Sequence, residues 1–194
     1  MTSDDVYRIP VYAGIRPFLE ERRREVQGRV AEISGSTLCE EFGFQRERVV
    51  DLRRPGFDLM RDPEGIDLGA YDLVFADFVL EHVPDPRAAV QHIREILRPG
   101  GWACLTTAFL FPIHEGADHG DFWRFTPKAL ELLFVGWADV HAAGWGNDVA
   151  VNNVLFWQWN NHSPATRDLV LGVPNDDRFP VMTWVYGRRP LEDP

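Results

Sequence analysis

The sequence predicts a doubly wound α/β fold, and three observations carry that prediction. Residues 71–76 form a short apolar run of the kind buried in a parallel sheet, and the run ends on polar Asp77. Pro84 and Pro86 then open a helix in which Ala89, Val90, Ile93, Ile96 and Leu97 share one face while Arg87, Gln91, Arg94 and Glu95 take the other. Arg98-Pro99-Gly100-Gly101 stops that helix and turns the chain into a second apolar run over 102–108.

The remaining elements follow in chain order. Residues 17–27 read as a charged helix stopped by Gly28, and 29–34 as a first strand. Gly35-Ser36-Thr37 leads into a short helix. A second strand over 48–52 carries an acid, Asp51, near its end, 57–60 form a third, 71–76 the fourth and 102–108 the fifth. The stretch 53–70 is too short for full crossover helices, so the helical cover is expected to be trimmed. Thr126 can cap a helix that begins at Pro127 and runs to 134. Two late strands are expected over 137–142 and 179–186. Between them 149–159, rich in Asn and Trp, reads as a helix over one sheet edge.

Length and charge narrow the function classes. A chain of 194 residues supplies one domain, expected to span 1–194. Its net charge of −10 offers no basic stripe to track phosphates, so neither nucleic acid nor an anionic membrane is an expected partner. Arg22-Arg23-Arg24 sits among Glu20, Glu21 and Glu25 and reads as a solvated helix face rather than a phosphate site. Cys39 and Cys104 are the only cysteines and lack metal-ligand spacing, so no metal site or disulfide is expected, and a reducing cytoplasm fits. The N-terminus has no signal-peptide pattern, and no apolar run is long enough to span a bilayer. Neither a Gly-x-Ser-x-Gly elbow nor a Walker-type phosphate loop is present, which sets hydrolase and kinase readings aside.

Leu80-Glu81-His82-Val83 together with Leu97-Arg98-Pro99-Gly100-Gly101 resembles the fourth and fifth strands of the class I S-adenosylmethionine-dependent methyltransferases. The segment Asp121-Phe122-Trp123-Arg124-Phe125-Thr126-Pro127 is similar to one found in a bacterial branch of that superfamily. The resemblance extends from about residue 71 to 134. It implies a Rossmann-like, mostly parallel sheet with antiparallel final strands, S-adenosylmethionine as cofactor, and methyl transfer to oxygen, or to nitrogen, of a small molecule. A sugar-containing or secondary metabolite is the acceptor it favours. The rival readings keep the fold but assign it a non-methylating cyclisation or isomerisation, or a non-catalytic binding role.

Ligands of doubly wound sheets sit at the carboxyl ends of the strands. Glu32, Gly35, Asp51, Asp62, Ala76 and Asp77 lie at or near those ends and are the candidate cofactor residues. Asp51 matches the acid that accepts both ribose hydroxyls, its alternative being a surface or capping aspartate. Asp62 resembles the acid that meets the adenine amino group, although an Asx-turn with Pro63 explains it equally. Ala76 and Asp77 correspond to the strand end beside the methionine portion, and Asp77 could instead cap the following segment. The first turn departs from the family's acid-then-Gly-x-Gly pattern, because Glu32 is followed by Ile33-Ser34-Gly35-Ser36-Thr37 with a single glycine. A branch with a shortened turn carries a Phe-Gly segment like Phe42-Gly43.

Residues 109–125 place His114, Glu115, Asp118, His119 and Asp121 among five aromatic side chains, a loop that can wall an acceptor and supply a base. His119 and His114 are the catalytic candidates, in that order, against the alternative of solvated loop histidines. His82 has a packing or cofactor-wall role as its alternative. Asp121, Trp123 and Arg124 are read as bracing the loop, with Trp123 packed as core. The aromatic run Val154-Leu155-Phe156-Trp157-Gln158-Trp159 exceeds what a solvent-facing helix carries and points to a homodimer contact or a pocket cover.

Overall fold

Apolar residues at helical spacing, Tyr12, Ile15, Phe18, Leu19 and Val26, are all buried and start the structure along the sheet. The computed structural model describes residues 8–33, 38–52, 59–60, 66–116, 119–156 and 164–192. In order these form α1 (Arg8–Glu25), β1 (Arg29–Glu32), α2 (Leu38–Glu41), β2 (Val49–Asp51), β3 (Tyr71–Asp77), α3 (Pro86–Ile96), β4 (Leu97–Ala108), α4 (Pro127–Leu133), β5 (Ala138–Trp145), α5 (Asp148–Phe156), α6 (Pro164–Gly172) and β6 (Met182–Arg188).

The six strands make one sheet in the order β2-β1-β3-β4-β6-β5. The first four are parallel, and β6 runs antiparallel to both β4 and β5. This is the mostly parallel α/β sheet with an antiparallel final pair. The chain leaves β1 toward β2 and returns on the other side of β1 as β3, so the order reverses at β1 and opens a crevice at the carboxyl ends. Strand alternation divides the core. Leu73 and Phe75 pack with α1, while Val74 and Ala76 pack with Ala89, Val90 and Ile93 of α3.

The helix expected from residue 17 begins earlier, at Arg8, with Pro17 in its interior. Proline removes one backbone donor there, and the buried stripe from Tyr12 to Val26 overrides it because it docks the helix on the sheet. Phe18 stacks on Tyr186 of β6 at 4.0 Å between ring centroids. Arg22 departs from the solvated face expected of the arginine run. It is buried, with its guanidinium 4.7 Å from the Trp102 ring and an ion pair to Glu25.

The expected third strand over 57–60 reaches the described residues only at Leu59 and Met60, which form a turn. Leu59 is buried, and its carbonyl faces His92 Nδ1 of α3 at 2.6 Å, so the residue serves the helix layer rather than a strand pair. The Arg-Pro-Gly-Gly turn lies within β4 as a bulge: Tyr71 pairs with Leu97, whereas Leu73 pairs with Trp102. Glycine is required twice in it. Gly100 has φ +76°, and a Cβ on Gly101 would stand 2.9 Å from the Arg98 carbonyl oxygen.

Helix α5 covers part of the aromatic run, with Val154 buried and Leu155 exposed, while Trp157 and Trp159 lie outside the described residues. Among the described residues no helix is long and apolar enough to cross a membrane.

Candidate functional site

Parallel register brings the strand ends together. Glu32 of β1 lies opposite Asp51 of β2 on one side and Phe75 of β3 on the other, and Asp77 lies opposite Thr106 of β4. Glu32 is buried, and its carboxylate accepts backbone hydrogen bonds from Leu38 at 3.0 Å and Cys39 at 3.4 Å. The acid thus closes the first turn by satisfying the free donors that begin α2. Asp51 is exposed at the end of β2. Gly35 and Asp62 lie outside the described residues.

Ala76 and Asp77 separate in role. The Ala76 side chain is buried in the core on the α3 side, which leaves its backbone as the part at the strand end. Asp77 is also buried, but as a hub: Tyr12 of α1 donates its hydroxyl to Oδ2 at 3.0 Å, and Thr106 donates to Oδ1. Thr106 also holds the start of the next segment, its carbonyl accepting from the Phe78 N–H at 3.1 Å. Phe78 itself has φ +54°, a left-handed turn that is strained for a side chain of this size and occurs where the strand meets the crevice.

That turn delivers Leu80-Glu81-His82 as a single 3₁₀ turn. Glu81 is fully buried, and no local sequence signal announces its role. Its carboxylate accepts from Thr107 Oγ1 at 2.9 Å and Ala108 N at 3.3 Å, and its carbonyl accepts from Phe122 N at 2.7 Å. One residue therefore ties the end of β4 to the loop before α4. Burial pushes its carboxyl up to about 7, against the opposing hydrogen bonds from Thr107 and Ala108.

The loop brings the histidines together. The His82 ring lies 4.7 Å from His114 and 4.4 Å from His119, centroid to centroid, with both pairs edge to face. His82 Nδ1 stands 2.7 Å from the Gly120 carbonyl oxygen, which can only accept, so Nδ1 carries the proton. Burial lowers the pKa of this imidazole. His114 Nδ1 stands 3.1 Å from Asp121 Oδ2 and 3.1 Å from the Pro112 carbonyl, which fixes its proton on Nδ1 as well. His119 is exposed at the rim.

Asp121 organises this arrangement. Its side chain is 1% exposed, takes both guanidinium nitrogens of Arg124, and accepts from the His114 backbone N–H at 2.9 Å. Arg124 extends to the carbonyls of Phe111 and Pro112 at 3.1 and 3.0 Å. The guanidinium holds the Asp121 carboxyl well below the usual carboxylate range. Trp123, expected in the core, is 42% exposed, because its indole N–H reaches outward to the Val83 carbonyl at 2.9 Å.

A cavity of about 380 Å³ bordered by Arg23, Gly43 and Arg48 lies at the opposite end of the sheet, near the amino ends of β1 and β2, and takes no part in this cluster.

The family whose description is "Methyltransferase domain" matches residues 12–138, well over half of the chain. Ubiquinone biosynthesis O-methyltransferase from Marinobacter nauticus is 39% identical over 84 residues, 40% of this chain and 34% of that enzyme. Highly reducing polyketide synthase 40 from Fusarium pseudograminearum is 34% identical over 96 residues, 46% of this chain and 4% of the synthase. The chain thus spans about a third or less of the length of these two relatives. Among solved structures, the [4+2]-cyclase SpnF superposes with a TM-score of 0.52 at 17% identity, covering 92% of this chain and 80% of that one, a likeness of fold.

Proposed function

The chain belongs to the methyltransferase-domain family, and from that premise we propose that it transfers a methyl group from S-adenosylmethionine to an oxygen of a small molecule, with nitrogen the second choice. The observation that carries the acceptor side is the cluster of His82, His114 and His119, which His82 anchors to the turn that follows β3. The residues present suit the cofactor. Its methionine portion carries an ammonium and a sulfonium, and the ends of β1 and β3 with the turn after β3 set the acids Glu32, Asp77 and Glu81 along one crevice. Asp51, exposed beyond them, suits the ribose diol.

When bound, the cofactor supplies an electrophilic methyl on a sulfonium, with a neutral thioether as leaving group. The chain's task is then to align an acceptor and remove its proton. Phe111 and His82 flank His114, and Phe122 and Trp123 extend the aromatic wall. His119 at the rim accepts the acceptor's proton. His114, held in one tautomer by Asp121, presents an unprotonated Nε2 as the second acceptor of protons.

Transfer of labelled methyl from S-adenosylmethionine to a panel of phenolic, sugar-bearing and amine acceptors tests this reading. Replacing the base, His119→Ala or His114→Ala, should lower turnover by about 10²–10⁴-fold while S-adenosylhomocysteine affinity stays within about twofold. Full activity in both variants at every pH would remove the histidines from proton transfer. Cofactor binding without transfer to any acceptor would favour the non-methylating reading.

A further inference from the structure

Glu81, His82 and His114 each offer one ligand atom, and the three atoms lie within 4.8 Å of one another. We propose that these residues form a binding site for a divalent first-row transition ion, with Zn²⁺ as the fitting case, contrary to the sequence expectation of no metal. The centre of a triangle with such edges is about 2.8 Å or less from each corner, so inward shifts of about 0.7 Å reach the lengths of zinc bonds to N and O.

The atoms around the cluster support coordination. A ligating histidine ordinarily donates its other ring N–H to a carbonyl or carboxylate, and both histidines do so here. His82 donates from Nδ1 to the Gly120 carbonyl, and His114 from Nδ1 to Asp121 and Pro112. With Nδ1 protonated, each ring keeps its Nε2 lone pair for the ion, and an ion held there makes His114 a ligand and leaves His119 as the base. Glu81 is oriented in turn by Thr107 and Ala108, which hold its carboxylate at the end of β4. Asp121 is locked by Arg124, so the orienting group cannot swing away from His114. Two segments, the 3₁₀ turn that carries Glu81 and His82 and the loop that carries His114, therefore converge on one point with their side chains already oriented.

Two imidazoles and a carboxylate select a borderline ion over Mg²⁺ or Ca²⁺, which prefer all-oxygen sites. Three protein ligands also leave a coordination position open. An acceptor hydroxyl bound to the ion at that position would lose its proton more readily to His119, whose ring lies 4.4 Å from that of His82. This last role rests on the proposed methyl transfer, whereas ion binding itself does not.

The test uses the full chain, stripped with a chelator and titrated with Zn²⁺ alone by calorimetry and with Co²⁺ alone by visible absorption. The proposal expects one ion per chain, the d–d bands of four- or five-coordinate Co²⁺, and no displacement of Zn²⁺ by millimolar Mg²⁺. His82→Ala and His114→Ala should each weaken Zn²⁺ binding at least about 100-fold, and Asp121→Asn about 10–100-fold. His141→Ala, on β5, should leave it unchanged. Circular dichroism reports whether each variant folds, and if the His82 variant does not, the His114 variant on the loop decides. Absence of stoichiometric binding, six-coordinate Co²⁺ spectra, or full affinity in a folded His82→Ala or His114→Ala chain would overturn the proposal. Each readout is independent of methyl transfer, so the site and the activity can fail separately.

Discussion

Asp121 and Glu81 do more for the site than the histidines they hold. A buried carboxylate pairs twice with Arg124 and fixes the His114 tautomer, so Asp121→Asn should loosen the whole loop. At neutral pH the loss is expected at about 1–3 kcal/mol, the scale of removing hydrogen bonds to a charged group. The sign of its pH dependence follows from the depressed pKa. The folded chain holds this proton less tightly than the unfolded chain, so the stabilisation is complete above about pH 5 and is lost progressively as pH falls from the ordinary aspartate pKa toward the depressed folded one. Melting temperatures between about pH 2 and 5 should therefore fall less steeply on acidification in Asp121→Asn than in the parent. Parallel slopes would mean that the pair contributes nothing to acid sensitivity.

At the same scale, Asp51→Ala is expected to weaken S-adenosylhomocysteine binding by about 1–3 kcal/mol, measured by calorimetry. Unchanged affinity in the folded variant would take Asp51 out of the ribose site. His114 and His119 were legible in the sequence because histidines in an aromatic loop are conspicuous. Glu81 was visible in the Leu-Glu-His-Val segment, but its role was not, because a contact with Thr107 spans 26 residues and follows only from the pairing of β3 with β4. Glu32 was legible as a strand-end acid. Its use in closing the turn onto α2 depends on a carboxylate orientation that spacing does not encode.

Among the elements, helices with explicit caps were the most readable. Asp85 accepts from Arg87 N at 3.0 Å and Ala88 N at 3.1 Å with Pro86 in the first turn, so α3 begins where the sequence places it. Thr126 does the same for α4 through Ala129 N at 3.1 Å. Asp85→Ala should cost about 1 kcal/mol in chemical denaturation, and a midpoint equal to the parent's would show that packing alone sets the helix start. Pro17 misled the reading of α1, since a proline suits a first turn and nothing local announces that Tyr12 and Ile15 dock on the sheet ahead of it. Leu59 and Met60 misled in the other direction. A short apolar run does not distinguish a strand from a turn that buries one side chain.

For the whole molecule, the parallel strands and the antiparallel return of β6 were implied by motifs concentrated in about a third of the chain, from residue 71 to 134. The sheet order then does the functional work. It reverses at β1, collects Glu32, Asp51 and Asp77 at one crevice, and lets α1 reach across to Asp77 through Tyr12. The first turn, with its single glycine, is where a weakened cofactor site would show itself. Calorimetric titration of the full chain with S-adenosylhomocysteine and S-adenosylmethionine tests this most directly. The account predicts saturable one-to-one binding of both, with affinity reduced in Asp51→Ala; no heat of binding for either ligand to the folded chain would contradict it.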